Sequence, residues 1–214
     1  MNTLKTILVF AVFGISLQSI TAQIVYPKGI YATYEDFARR QPSDTTTEFT
    51  FKSSANQDNV VRVFKKGTNK RLKRNFAISD GQNLYVRIKQ VRKKFPAKDR
   101  GQAKDDGNYC IKVEQLGPNY IYFEDYFASS ASLILGGAIA GSASRKLKGV
   151  IYDLKSLKFD LFRNAKDFKQ FIKKKHPKQL ALIEAQEQKD GRKKSQENID
   201  LVRKIITTLN STNP

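Results

Sequence analysis

Short apolar runs broken by tight-turn residues set the first limit on what this chain can form. Asn75–Ser79 and Leu84–Ile88 flank Asp80-Gly81-Gln82-Asn83, and Asp-Gly between apolar runs predicts a β-hairpin. Tyr109–Leu116 and Tyr120–Phe123 flank Gly117-Pro118-Asn119, which predicts a second. Gly149–Leu154 and Leu157–Phe162 flank Lys155-Ser156, which predicts a third. Before them, Thr46–Ser53 alternates with Phe49 and Phe51 on one side, and Val60–Lys65 follows, ending at the turn Lys66-Gly67-Thr68-Asn69. Strands joined this closely can only pair antiparallel.

Helical signals lie at the two ends. Thr33 is placed as an N-cap, with Glu35 and Asp36 in the first turn and Pro42 closing the segment. Asn164 with Asp167 opens a helix whose apolar stripe is Phe168, Phe171 and Ile172. Pro177 suits the first turn of another. Ser195 caps a last helix carrying Ile199, Val202, Ile205, Ile206 and Leu209 at helical spacing. The expected fold is α+β: a mainly antiparallel, hairpin-built sheet of about six to seven strands, with a short N-terminal helix and C-terminal helices. Residues 91–107 are basic and contain Pro96, Gly101 and Gly107, which predicts an exposed loop.

The start of the chain predicts export. Lys5 precedes an uncharged apolar run over 6–20, which ends at Ile20-Thr21-Ala22 before Gln23. That is the layout of a signal peptide over 1–22, cleaved after Ala22. No cysteine adjoins the cut, so a lipoprotein anchor is not expected. Residues 23–163 then form the β-rich domain and 164–214 a C-terminal helical segment. A secreted or periplasmic address follows.

Scarcity narrows the chemistry. The chain has one cysteine, Cys110, one histidine, His176, and no tryptophan. An internal disulfide cannot form, so packing alone must hold the fold. A zinc site of the usual Cys/His type lacks ligands, and any serine triad would have to run through His176. Cys110 sits within an apolar strand and reads as a core residue. His176 follows three lysines and reads as exposed. No P-loop, dinucleotide fingerprint or Gly-x-Ser-x-Gly is present. No catalytic residues, metal ligands or cofactor are expected, and the chain reads as non-enzymatic.

Charge is the strongest functional signal. Cleavage would leave 38 Lys+Arg against 20 Asp+Glu. Residues 60–104 hold 15 Lys+Arg against Asp80 and Asp99. Lys65, Lys66, Lys70, Arg71, Lys73, Arg74, Arg92, Lys93 and Lys94 are the candidate polyanion-binding residues. The partners they fit are an anionic glycan, lipopolysaccharide phosphates or anionic lipid, with a protein partner as a further option. No module for specific nucleic-acid recognition is present. The same charge also reads as a solvated basic surface that keeps strand edges apart.

Residues 128–144 (ASSASLILGGAIAGSAS) are uncharged and rich in small residues. They read either as a membrane-peripheral or self-associating element, with contact extending through 128–148, or as a buried helix or connector.

Gly29-Ile30-Tyr31 with Tyr34-Glu35-Asp36-Phe37, Ser79-Asp80-Gly81-Gln82-Asn83-Leu84-Tyr85, Tyr120-Ile121-Tyr122-Phe123 and Tyr152-Asp153-Leu154 resemble a group of uncharacterised secreted or periplasmic proteins of Bacteroidetes-type bacteria. The resemblance spans most of the chain after the leader and implies an exported address. It implies no activity, fold or site residue. In a eukaryotic secretory setting, Asn210-Ser211-Thr212 would be a glycosylation acceptor.

Overall fold

A computed structural model describes residues 24–54, 57–96, 107–127, 146–162, 165–181, 184 and 197–211. Residues 1–22, expected to be a signal peptide, and the 128–144 segment lie outside the described residues. Strand β1 (Gly29–Tyr31) leads into helix α1 (Tyr34–Arg39). Thr33 caps it as the sequence implies: its hydroxyl accepts from the Asp36 N–H at 3.1 Å, and the Asp36 carboxylate accepts from the Thr33 N–H at 2.9 Å. This reciprocal box satisfies two donors that a helix start would leave open.

Strands β2 (Phe49–Ser54), β3 (Gln57–Lys65), β4 (Ala77–Ser79), β5 (Leu84–Arg87) and β6 (Cys110–Lys112) join β1 in a six-stranded antiparallel sheet of order β1-β4-β5-β6-β3-β2. The Asp-Gly hairpin is present, with Ser79 opposite Leu84 across the turn. The sheet curls. The Phe51 and Tyr85 ring centroids are 4.3 Å apart although β6 and β3 lie between their strands. A flat sheet would separate those strands by about 14 Å. Ile30, Val61, Val63, Ile78, Tyr85 and Cys110 pack inside the curl. The segment before β2 closes on β1 at Ile30, whose N–H donates to the Asp44 carbonyl at 2.8 Å and whose carbonyl accepts from the Ser43 N–H at 2.9 Å.

A second antiparallel sheet has the order β10-β9-β8-β7. It is formed by β7 (Gln115–Leu116), β8 (Tyr120–Phe127), β9 (Lys146–Asp153) and β10 (Lys158–Phe162). The α+β class and the hairpins are thus as expected, but the strands divide between two sheets. The division falls inside the run expected to be one strand, Tyr109–Leu116. Val113 N–H donates to Leu84 in the first sheet at 2.8 Å, and Glu114 N–H donates to Tyr122 in the second at 2.9 Å. Two adjacent residues therefore hydrogen-bond into different layers.

Alternation along β8 sorts the core. Ile121 and Phe123, with Val150 and Tyr152, face the first sheet. Tyr120 and Tyr122, with Ile151 and Phe162, face the helices α3 (Ala165–Lys175) and α4 (Glu197–Ser211). Phe168, Phe171 and Ile172 of α3 and Val202, Ile206 and Leu209 of α4 complete this layer. The tyrosine face of β8 is thus a packing surface.

Between the expected strand Leu84–Ile88 and the expected loop 91–107, and taking the end of one and the start of the other, Ile88–Arg92 forms a short helix, α2, with Ile88 and Val91 buried against the first core. No helix among the described residues is long and apolar enough to cross a membrane.

Candidate functional site

The strand register gathers the basic residues. Val61 lies beside Cys110, and Cys110 beside Arg87. Ala77 lies beside Val86 and opposite Tyr31. The C-terminal ends of β1, β3 and β5 and the start of β4 therefore share one end of the curled sheet. The segment 66–76 crosses that end from β3 to β4, and α2 leaves β5 there. Both sequence clusters, 65–74 and 92–94, meet at this end. Asp80, the acidic residue among the described residues of 60–96, sits at the opposite end in the β4–β5 turn.

The crossover is built rather than loose. Gly67 adopts φ 72° at the turn, where a side chain would be strained. Lys65 N–H donates to Lys70 at 2.9 Å, Leu72 N–H donates to Val63 at 2.9 Å, and Phe64 bridges Arg71. From below, the Arg87 side chain holds the segment. This residue is 1% exposed. Its Nε donates to the Asn75 carbonyl and side-chain oxygens at 3.1 Å, and its Nη2 donates to the carbonyl of Leu72 and to Asn75 Oδ1. Burial disfavours its charge and pulls the guanidinium below its ordinary pKa, with Arg71 adding repulsion. Four neutral-oxygen contacts thus hold a buried cation beneath a cationic surface.

Lys65, Lys66, Lys70, Lys73, Arg74, Lys93 and Lys94 are exposed, whereas Arg71 and Arg92 are half-buried. Lys66 pairs with Glu48 at 3.0 Å, both well exposed, so the pair neutralises little. The Lys94 ammonium lies 3.8 Å over the Tyr34 ring, a cation–π contact that fixes it beside α1. Arg87 carries no polyanion signal in the sequence. A charged residue closing the apolar run Leu84-Tyr85-Val86 was the available clue to a buried role.

Two polar clusters were not legible in the sequence. In one, Glu124, 2% exposed, receives Arg203 Nε at 2.8 Å, Arg203 Nη2 at 2.6 Å and Tyr122 Oη at 2.7 Å. In the other, Lys175 at the end of α3 bridges Asp153 and Asp160, and His176 shares a hydrogen bond with Tyr120 Oη. His176 is half-buried rather than exposed, because α3 lays its C-terminus on sheet two. Burial pulls its pKa below the ordinary value, opposed by Asp153 and reinforced by Lys175. Burial likewise pushes Tyr120 up to about 12, with Asp153 and Asp160 adding to the rise.

These contacts tie helices to sheet. Glu124 and Asp125 point to opposite sides of β8, as adjacent strand residues must: Asp125 accepts from Tyr109 Oη at 2.6 Å, away from Arg203. Asn210 donates to the Tyr120 carbonyl at 3.1 Å and accepts its N–H at 2.9 Å, so this side chain is committed to the fold, not displayed as a glycan acceptor.

Cys110 is fully buried. Burial pushes its thiol up, which leaves it unreactive and in the core role expected of it. Among the described residues no group of three or more His, Cys, Asp or Glu is arranged to hold a metal ion. No family model, curated protein or solved structure matches the chain.

Proposed function

We propose that this is an exported, non-enzymatic binding protein that docks an anionic polymer on the basic end of its curled sheet. The carrying observation is the register. It brings Lys65–Arg74 and Arg92–Lys94 to one end and puts Asp80 at the other. A strongly net-positive surface raises the local concentration of phosphate, sulfate or carboxylate chains, and its grip weakens with salt. The held crossover adds preorganisation. A segment already ordered loses little further entropy on binding. The export reading rests on the leader-like residues 1–22, and the resemblance to secreted Bacteroidetes-type proteins agrees with it.

The test uses Lys70, Lys73 and Arg74, whose exposure lets them change without disturbing the core. Lys70→Gln, Lys73→Gln and Arg74→Gln together should lower the salt needed to elute the protein from heparin. They should also reduce the slope of log affinity against log salt by roughly 0.7–0.9 per lost contact. Elution at the wild-type salt concentration, from a protein with an unchanged melting curve, would remove the docking site from this face.

A further inference from the structure

Arg87 grips the basic crossover at two points. Its Nη2 donates to the Leu72 carbonyl at 2.5 Å, and its Nε donates to the Asn75 carbonyl and to Asn75 Oδ1, both at 3.1 Å. Between those two anchors stand Lys73 and Arg74, both exposed. The buried guanidinium is therefore bonded to the chain on either side of two surface cations.

These hydrogen bonds hold the guanidinium but do not neutralise it. Every acceptor it reaches is an uncharged oxygen of Leu72 or Asn75. Among the described residues no carboxylate pairs with it. Asp80 lies at the other end of the sheet. Cys110 is close by, but burial pushes its thiol up and keeps it neutral. Arg71, bridged to Phe64 within the crossover, adds repulsion. An arginine keeps its proton in such surroundings. A charged side chain this deeply buried normally has a charged partner. Here the fold provides none.

Position gives that charge an effect outside. Salt screens exposed lysines, whereas a buried charge is screened much less. The field of Arg87 therefore adds to that of Lys73 and Arg74 and persists at salt concentrations that weaken theirs.

We propose that Arg87 sets the affinity of the basic face without touching the ligand: a bound polyanion supplies the counter-charge that this buried cation lacks. The assignment rests on polyanion docking at this end of the sheet and names the buried residue that strengthens it.

Asn75 separates the charge of Arg87 from its hold on the crossover. Asn75→Asp keeps the side-chain shape and the oxygen that Arg87 contacts, and it places a carboxylate against the guanidinium. Asn75→Ala removes the Oδ1 contacts and leaves the charge as it is. Heparin affinity of the purified protein would be measured by calorimetric titration over a series of sodium chloride concentrations. Asn75→Asp should weaken binding on the order of fivefold, the effect of one unit charge acting at an effective dielectric constant of about 20. Its slope of log affinity against log salt should match the wild type, because no surface contact is lost. The Lys70, Lys73 and Arg74 triple variant should instead lower that slope. Amide exchange over 65–74 should be unchanged in Asn75→Asp and faster in Asn75→Ala.

Wild-type heparin affinity in Asn75→Asp, beside a weakened triple variant, overturns the role of Arg87 and leaves the docking face standing. Wild-type affinity in the triple variant removes the docking face and this assignment with it. Weaker binding by Asn75→Asp together with faster exchange over 65–74 would make crossover order the cause, and overturns the proposal as well.

Discussion

Glu124 shows how much of this fold depends on single buried charges. Its carboxylate is 2% exposed and is held by a forked Arg203 and by the Tyr122 hydroxyl. Its neighbour Glu114 is pushed up by burial and then by the Glu124 charge, with Arg203 opposing both. Removing the guanidinium leaves a buried carboxylate with one hydroxyl donor. Arg203→Met should therefore cost about 3–5 kcal/mol in urea unfolding. Glu124→Gln combined with Arg203→Met should cost clearly less, since neither charge then remains buried. Equal losses in the single and double variants would show that the side chains pack rather than pair.

At the scale of elements, helices are secured at their ends. Thr33→Ala removes one half of the α1 capping box and should cost about 1 kcal/mol, read from the shift in urea midpoint at unchanged slope. Helix α4 is docked at its C-terminal end by a close approach. A Cβ at Gly117 would lie 2.0 Å from the Asn210 Cγ, so any side chain there displaces Asn210 from the Tyr120 backbone. Gly117→Ala should therefore release the C-terminal turns of α4, seen as faster amide exchange over 205–211 with the β4–β5 hairpin unchanged. Equal protection across α4 in both proteins would place its anchorage outside the Asn210 contact, at Arg203, Asn119 and the buried Val202, Ile206 and Leu209. Gly117 was legible as a turn glycine. Its role against a helix 93 residues later was not, because contact order of that kind leaves no local pattern.

At the scale of the whole molecule, acid should loosen the helical layer first. His176, at the end of α3, is the sensor. Tyr120 faces it from β8, Asp153 from β9, and Asp160 of β10 and Lys175 of α3 adjoin it. Its folded pKa lies below the ordinary value of 6.5. The unfolded chain therefore takes up the proton first, and stability is full above that value and falls as pH drops through it. Asp160 acts the other way. Burial raises its pKa, so its penalty is relieved as it protonates at lower pH. For Asp153, burial alone would raise the pKa, but the Lys175 ammonium and the Ser156 N–H override it, and stability is lost only when pH falls through its depressed value. Between pH 7 and 5.5 the His176 contribution should dominate. His176→Gln should flatten the decline in melting temperature over that window, and an unchanged decline would assign it to other groups.

Local rules settled much of this protein. Turn dipeptides, strand alternation, the Thr33 cap, the burial of Cys110 and the two-faced β8 follow from interactions within a few residues, and each reads directly from the chain. The grouping of lysines and arginines was likewise visible as composition. The split of Tyr109–Leu116 between two sheets, the curl that brings Phe51 onto Tyr85, and the meeting of 65–74 with 92–94 required the tertiary structure. So did the polar pairs that join helix to sheet: Glu124 with Arg203, Lys175 with Asp153, and Tyr120 with His176. These depend on strand order and on helices returning from distant sequence. A charged residue in isolation carries no signal of whether water or a partner will satisfy it.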